Sequence, residues 1–333
     1  MRTLSQRELN RALLARQGLL ERRELDLPDA LDAMGALQAQ YAPSMYVGLW
    51  SRVASFERDA LTRALEQRSV VQATLLRSTI HLVSRADYWP LAVAIRDARR
   101  MSWLRATKRE DLSNEADILR AALREHGPMK RKAIEELIGK EAFNGIGLWV
   151  DMVRVPPTGT WERRRADLFG LAEDWIGPPA IAEDAALDHL VTRYLTGFGP
   201  ASKAEIANWG GMLARDVEPA LERLELTCLE AEDGTELFDL PDQPLPAADT
   251  PAPVRFLGTW DAVLLVHARR TLILPEEHRP KIFHVRMPQS IGTYLVDGAV
   301  AGTWKPDGTL TAFDGEPSSE VHDEFRRLMA FCA

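Results

Sequence analysis

Two glutamines one residue apart, Gln38 and Gln40, stand in the stretch Gln38-Ala39-Gln40-Tyr41-Ala42 that Pro43 closes. A carboxamide can hold a water molecule or grip the edge of a base, but it cannot take a proton away. A pair of them suits a reaction whose leaving group is already activated. On a continuous helix, side chains two positions apart diverge by about 200° around the axis; in an extended chain they share a face. Pro43 disfavours helix at Ala42, and Leu31, Met34 and Leu37 carry the last clear apolar spacing. The helix is therefore expected to fray near Gln38 and to send both amides one way, out of its terminus into a positively lined hollow. The competing reading is a polar helix end capped by its own amides.

Three further groups carry chemistry in their types and spacing. Arg77, Thr79 and His81 alternate and are expected to share a strand face opposite Leu76, Ile80 and Leu82, where they would meet phosphates. A solvated hairpin face, or a structural His81, is the alternative. Lys130, Arg131 and Lys132, and then Arg163, Arg164 and Arg165 beside the turn of residues 156–160, read as phosphate grips or as solvated charge runs. Arg96, Arg99, Arg100, Arg105, Lys108 and Arg109 form another basic cluster, and Arg269 and Arg270 a smaller one. Asp297-Gly298, flanked by Val296 and Ala299, supplies the positive φ values of a tight primed turn. Its narrow tip could wedge into a DNA groove or belong to an ordinary structural hairpin.

The elements that would position these groups repeat along the chain. Residues 118–139 and 187–211 each run helix, Gly-Pro, short amphipathic helix, with Gly127-Pro128 and Gly199-Pro200 lying 72 positions apart. Glycine can end a helix in a left-handed cap and proline then blocks continuation. Strand-like material follows each copy: residues 148–155 with a turn at 156–161, and residues 226–230 and 235–238 around Asp233-Gly234. Helix, turn, helix, hairpin is the winged-helix pattern. The N-terminal region supplies a more divergent copy, with helices expected at 5–17, 28–37 and 56–66, a hairpin over 70–84 and a connecting helix over 86–105. Residues 243–253 hold four prolines and read as a linker. Beyond it, strands are expected at 263–266, 271–274, 293–296, 299–304 and 310–313, with a closing helix at 319–331. The expected architecture is α+β: winged-helix units at 1–110, 111–180 and 181–242, and a small β-rich domain at 254–333.

Composition restricts the classes. The 333 residues are 46% hydrophobic and 27% charged, ordinary for a globular chain. No apolar run reaches membrane-spanning length and the N-terminus has no apolar signal core, so a cytoplasmic address is expected. Cys228 and Cys332 have no Cys or His at metal-ligand spacing, and Gly145-Ile146-Gly147 lacks a third glycine, so neither a metal nor a nucleotide cofactor is expected. A net charge of −8 excludes a protein coated in basic surface but not one with a basic groove.

Gln38-Ala39-Gln40, Arg77-Ser78-Thr79-Ile80-His81-Leu82-Val83, Gly258-Thr259-Trp260-Asp261 and Val296-Asp297-Gly298-Ala299-Val300-Ala301-Gly302-Thr303-Trp304, on three tandem winged-helix units, together resemble the AlkZ/YcaQ family of bacterial DNA glycosylases. The Gln-x-Gln pair is similar to the AlkZ-like branch. The resemblance implies a C-shaped protein around a cleft of DNA width. It implies excision of N-alkylated purines or interstrand crosslinks from duplex DNA, by a monofunctional enzyme expected to act as a monomer. It places the catalytic glutamines at Gln38 and Gln40 and the DNA-cleft hairpin at residues 296–302. The chain departs from the family at Ser78, where glycine is usual, and at Arg269-Arg270, where Asp-Arg is usual. A non-enzymatic winged-helix DNA binder or transcription regulator is the alternative, and needs no glutamine pair.

Overall fold

The computed structural model describes residues 2–108, 111–283 and 291–333 of a mixed α+β chain. Strand β1 (Arg2–Leu4) leads into α1 (Gln6–Arg16), whose start is fixed by a reciprocal capping box between Ser5 and Glu8. Next come α2 (Leu27–Met34), the two-residue β2 (Leu37–Gln38), α3 (Ala42–Arg52) and α4 (Arg58–Glu66). The hairpin β3 (Val70–Thr74) and β4 (Ile80–Ser84) then feeds the long α5 (Arg85–Thr107). The middle of the chain contributes α6 (Ser113–His126), β5 (Met129–Lys130), α7 (Arg131–Ile138), α8 (Lys140–Ile146), β6 (Met152–Arg154), β7 (Leu168–Leu171) and α9 (Ala172–Ile176). Then follow α10 (Glu183–Phe198), α11 (Lys203–Gly210), α12 (Ala214–Arg223), β8 (Thr227–Ala231) and β9 (Glu236–Asp239). The last part holds β10 (Arg255–Leu257), α13 (Arg279–Ile282), β11 (Gly292–Val296), β12 (Ala299–Trp304), β13 (Leu310–Ala312) and α14 (Ser319–Cys332).

Three sheets organise these elements. The six-stranded sheet runs β2-β4-β3-β6-β7-β5, so the first hairpin and the second are one continuous surface, joined where Ala73 pairs with Val153. β10 to β13 form a four-stranded antiparallel sheet in chain order. β1 lies parallel to β8 beside β9, with Arg2 opposite Leu229, so the extreme N-terminus completes the third hairpin. The largest apolar cluster threads Leu14 of α1, Leu91 of α5, Tyr194 of α10, Trp209 of α11 and Leu264 into one core. Full burial of each such side chain is worth about 1.5–3 kcal/mol, which ties distant stretches of chain behind the six-stranded sheet.

Several sequence expectations change here. The helix expected over 28–37 stops at Met34, because Gly35 takes a left-handed cap (φ 73°) where a side chain would meet the Arg193 carbonyl at 2.8 Å. Pro43 stands in the first turn of α3, a helix the sequence reading lacked. The strands expected at 263–266 and 271–274 are instead 3₁₀ turns over Ala262–Leu264, Val266–Ala268 and Arg270–Leu272. That segment is apolar without period, and periodicity alone cannot assign such a run. The two Gly-Pro pairs also differ. Gly127 has φ 72°, but Gly199 has φ −68° and is needed for space, since a side chain there would lie 2.5 Å from Arg16 Nη1. Among the described residues, no helix is long and apolar enough to cross a membrane.

Candidate active site

Gln38 and Gln40 lie on the extended bridge between α2 and α3. Gln38 pairs with His81 across β2 and β4, the Ala39 N–H donates to the Ile80 carbonyl at 2.7 Å, and Tyr41 is an extended N-cap for α3. The expectation of extended rather than helical geometry at this pair therefore holds at Gln38. Each amide oxygen is held by a donor of the chain itself. Arg77 Nη2 donates to Gln38 Oε1 at 2.9 Å, and the Ile80 N–H donates to Gln40 Oε1 at 2.8 Å. A guanidinium and a backbone N–H can only donate, so both amide orientations are fixed, and each oxygen keeps a second lone pair. The expectation that both amides project one way into a hollow does not hold: Gln38 is 4% exposed, whereas Gln40 is exposed. Gln38 is enclosed because β2 is an inner part of the fold, packed between α3 and β4, and Arg77 closes over it.

The row Arg77, Thr79 and His81 is not one exposed strand face. Regular pairing ends at Thr74, and Leu76–Ser78 form a 3₁₀ turn at the hairpin tip, with Arg77 at φ 52° and Ser78 at φ 58°. The backbone at Ser78 is left-handed, a conformation glycine adopts without strain. Arg77 turns inward, donating to the Trp209 carbonyl at 3.2 Å as well as to Gln38. Thr79 Oγ1 donates to the Leu76 carbonyl. His81 is buried, its Nδ1 3.0 Å from the Thr79 carbonyl oxygen, and does not face a partner outside the protein. Burial, and then the nearby Arg77 charge, push the His81 pKa down to about 3. The same causes hold His267, which stacks edge-on against Phe198, well below its usual range. Nothing in the spacing around His267 marked it as part of this support.

The buried, neutral His81 has a pH consequence. Its folded pKa lies below the unfolded value of about 6.5, so the unfolded chain binds more protons between pH 6.5 and 3, and stability falls as pH drops through that window. At pH 5 the His81 contribution amounts to about 2 kcal/mol lost relative to pH 7.5. Denaturant unfolding of the wild type and His81→Gln at both pH values checks this. A pH dependence as steep in the variant as in the wild type removes His81 as its source.

The two basic runs converge. Lys130 pairs with Leu168 across β5 and β7, the Arg131 N–H donates to the Asp167 carbonyl at 2.8 Å, and Lys130, Arg131, Lys132 and Arg165 line one recess. Carboxylates accompany them: Glu135 lies 2.7 Å from Arg131, Glu136 3.8 Å from Lys132 and Asp167 3.3 Å from Arg165. Arg163 holds the turn through its carbonyl, which accepts from the Gly159 N–H at 2.7 Å. Arg164 reaches the Tyr41 hydroxyl at 3.4 Å, which sets it beside the residue that follows Gln40. Arg105 and Lys108 lie on the exposed end of α5, and Arg109 falls outside the described residues.

The family model for DNA glycosylase AlkZ-like proteins matches residues 31–331. This chain belongs to the AlkZ-like DNA glycosylase family. Among solved structures, it is similar to Streptomyces sahachiroi DNA glycosylase AlkZ, with a TM-score of 0.81 at 18% sequence identity, covering 99% of this chain and 97% of that one. No curated protein matches the sequence.

Two motifs of this AlkZ-like chain take on definite structural jobs. In Gly258-Thr259-Trp260-Asp261, Asp261 receives both Nη atoms of Arg52 at 2.9 and 2.6 Å, and the Thr259 hydroxyl bonds Ser44. A side chain at Gly258 would lie 2.9 Å from the Ser44 carbonyl, so only glycine lets this segment reach α3. The tip of the β11–β12 hairpin, read from sequence either as a wedge for a DNA groove or as an ordinary structural hairpin, is docked on α1. Asp297 pairs with Arg7 at 2.6 Å and with the buried Arg11, while Asn10 Nδ2 donates to the Gly298 carbonyl at 2.9 Å. A side chain at Gly298 would strike Arg11 Nη1 at 2.6 Å. Val296 stays exposed and Ala299 half-buried, and two arginines and an asparagine of α1 hold the tip.

Proposed function

We propose that this member of the family hydrolyses the N-glycosidic bond of purines carrying a cationic N7-alkyl group in duplex DNA, including bases joined as interstrand crosslinks. The observation that carries the reading is a pair of neutral carboxamides with oxygens pinned by donors, one of them exposed beside Tyr41 and Arg164. An N7-alkylated purine already bears a positive charge. As its C1′–N9 bond breaks, the electron pair neutralises the departing base and an oxocarbenium-like sugar is left. Water adds to C1′, and its proton passes to solvent. No strong acid is required. What the site supplies is position and dipoles.

Gln40 takes the water-positioning role in this reading. The second lone pair of its Oε1 accepts from water, and the Ile80 N–H on the first holds that oxygen still. Gln38 stands behind it, its amide oxygen held by Arg77. Because neither amide is a base, undamaged nucleosides, which are poor leaving groups, are spared. The helix–helix–hairpin order of the three segments supports reading them as winged helices facing DNA across a cleft. Lys130, Arg131, Lys132 and Arg163 to Arg165 serve as the phosphate-binding rim of a monomeric, cytoplasmic enzyme.

The test is incubation of the wild type with a duplex holding a single N7-methylguanine. Release of the free base and an abasic site cleaved only on alkali treatment is expected, with no borohydride-trapped adduct, since a monofunctional mechanism has no Schiff base. Failure to release the base, or a trapped covalent complex, would overturn the reading.

A further inference from the structure

A cavity of about 330 Å³ opens on the other side of Ile80, the residue whose backbone holds Gln40. It lies between the first hairpin, α5, α8 and β6, and shares Arg131 and Arg165 of its lining with the basic recess. Its volume is at the lower end of small-ligand sites, which run from about 300 to 1,000 Å³.

The charges lining it do not cancel. Arg96 is matched by Asp151 at 3.0 Å, Arg131 by Glu135 and Arg165 by Asp167. Arg99 and Arg154 meet only neutral oxygens. Arg99 donates to the Leu75 carbonyl at 2.8 Å and to the Ser78 hydroxyl, and Arg154 donates to Thr74 Oγ1 at 2.9 Å. Among the described residues, neither has a carboxylate within ion-pair distance. Arg154 is 9% exposed, rests over the Phe169 ring, and its buried Nε has no acceptor. Burial lowers both guanidiniums to a pKa of about 10, which leaves them charged at neutral pH. A buried cation without a counter-charge is costly, and its persistence beside a cavity calls for an anion to fill the gap.

We propose that this cavity holds a phosphate group of a nucleotide, gripped by Arg99 and Arg154. A cationic alkylated base is repelled by the same two charges, so the cavity is not the pocket for the damaged base. Its occupant is a phosphate, either of the DNA strand that passes Gln40 or of a free nucleotide.

Binding is read without glycosylase activity, so this inference and the proposed function can fail separately. Arg154→Met keeps the length of the side chain and removes the buried charge, and it should melt no lower than the wild type. A 20-base-pair undamaged duplex is titrated by fluorescence anisotropy at several salt concentrations, and AMP and inorganic phosphate are titrated by thermal shift. With a strand phosphate in the cavity, the slope of log affinity against log salt falls by about 0.9 and affinity drops about tenfold at low salt in the variant. With a free nucleotide as the source, AMP or phosphate raises the melting temperature of the wild type and not of the variant, while the DNA slope is unchanged. Arg99→Gln, at a partly exposed position, repeats the comparison should Arg154→Met fold poorly. Equal DNA slopes and equal AMP and phosphate responses in wild type and variants would overturn the proposal.

Discussion

Gln40→Ala is expected to slow release of N7-methylguanine from duplex DNA by about 10²–10³-fold, the usual loss when one preorganised dipole at a developing charge is removed. Affinity for the duplex should change little, because Gln40 contributes no charge to the phosphate-binding surface. Gln38→Ala is expected to lose a similar factor for a different reason. Gln38 is buried, and its removal leaves Arg77 without the amide oxygen at 2.9 Å that it now holds. Arg77 in turn should act through Gln38. Single-turnover rates for Arg77→Met, Gln38→Ala and the double variant form a cycle, and the double variant should be no slower than Gln38→Ala alone. Additive losses would mean that Arg77 acts independently of Gln38, for instance on a DNA phosphate. Base release undiminished in both glutamine variants would remove the pair from the chemistry altogether.

Much of the secondary structure near the site was legible because it is written locally. Asp233-Gly234 and Asp297-Gly298 are short-range signals, and the structure has positive φ at Gly234, Asp297 and Gly298. The departure from helix geometry at Gln38 was also readable, from Pro43 and the end of the apolar spacing. What was not readable is tertiary. Helix α3 buries nearly every side, from Ala42 to Arg52, so it shows no amphipathic period, and its proline reads as a stop although it sits where proline is tolerated, in the first turn. The exposure of Gln38 depends on Arg77, which is 39 residues away in sequence and turns inward only because residues 76–78 leave the strand. Strand alternation was extended across that tip, and it assigned Arg77 and His81 to a surface they do not occupy. The β11–β12 turn was identified from its own two residues, but its docking on Arg7, Asn10 and Arg11 lies 286 or more positions away. Local chemistry locates a turn; it does not say what the turn touches.

Arg52→Ala is expected to cost about 3–5 kcal/mol of stability, the range for breaking a buried ion pair on one side. Arg52 and Asp261 are each 1% exposed at the side chain, and their two hydrogen bonds are parallel. Arg52 Nη1 also donates to the Gly48 carbonyl, and Asp261 accepts from the Val263 N–H. Losing Arg52 strands a buried carboxylate that anchors the 3₁₀ turn at Ala262–Leu264. Arg52→Met with Asp261→Leu should recover most of the loss, because apolar side chains of similar volume remove both desolvation costs together. The pair has a second consequence. It fastens the end of α3 to the segment after β10, and α3 begins two residues beyond Gln40. The apolar double variant should therefore fold with near-wild-type stability yet release base more slowly, with the loss in kcat rather than KM, since Gln40 is positioned from that helix. Urea unfolding and single-turnover assays on the same preparations separate the two effects. If the double variant is as active as the wild type, Arg52–Asp261 serves stability alone, and the Gly258-Thr259-Trp260-Asp261 segment positions nothing at the glutamines.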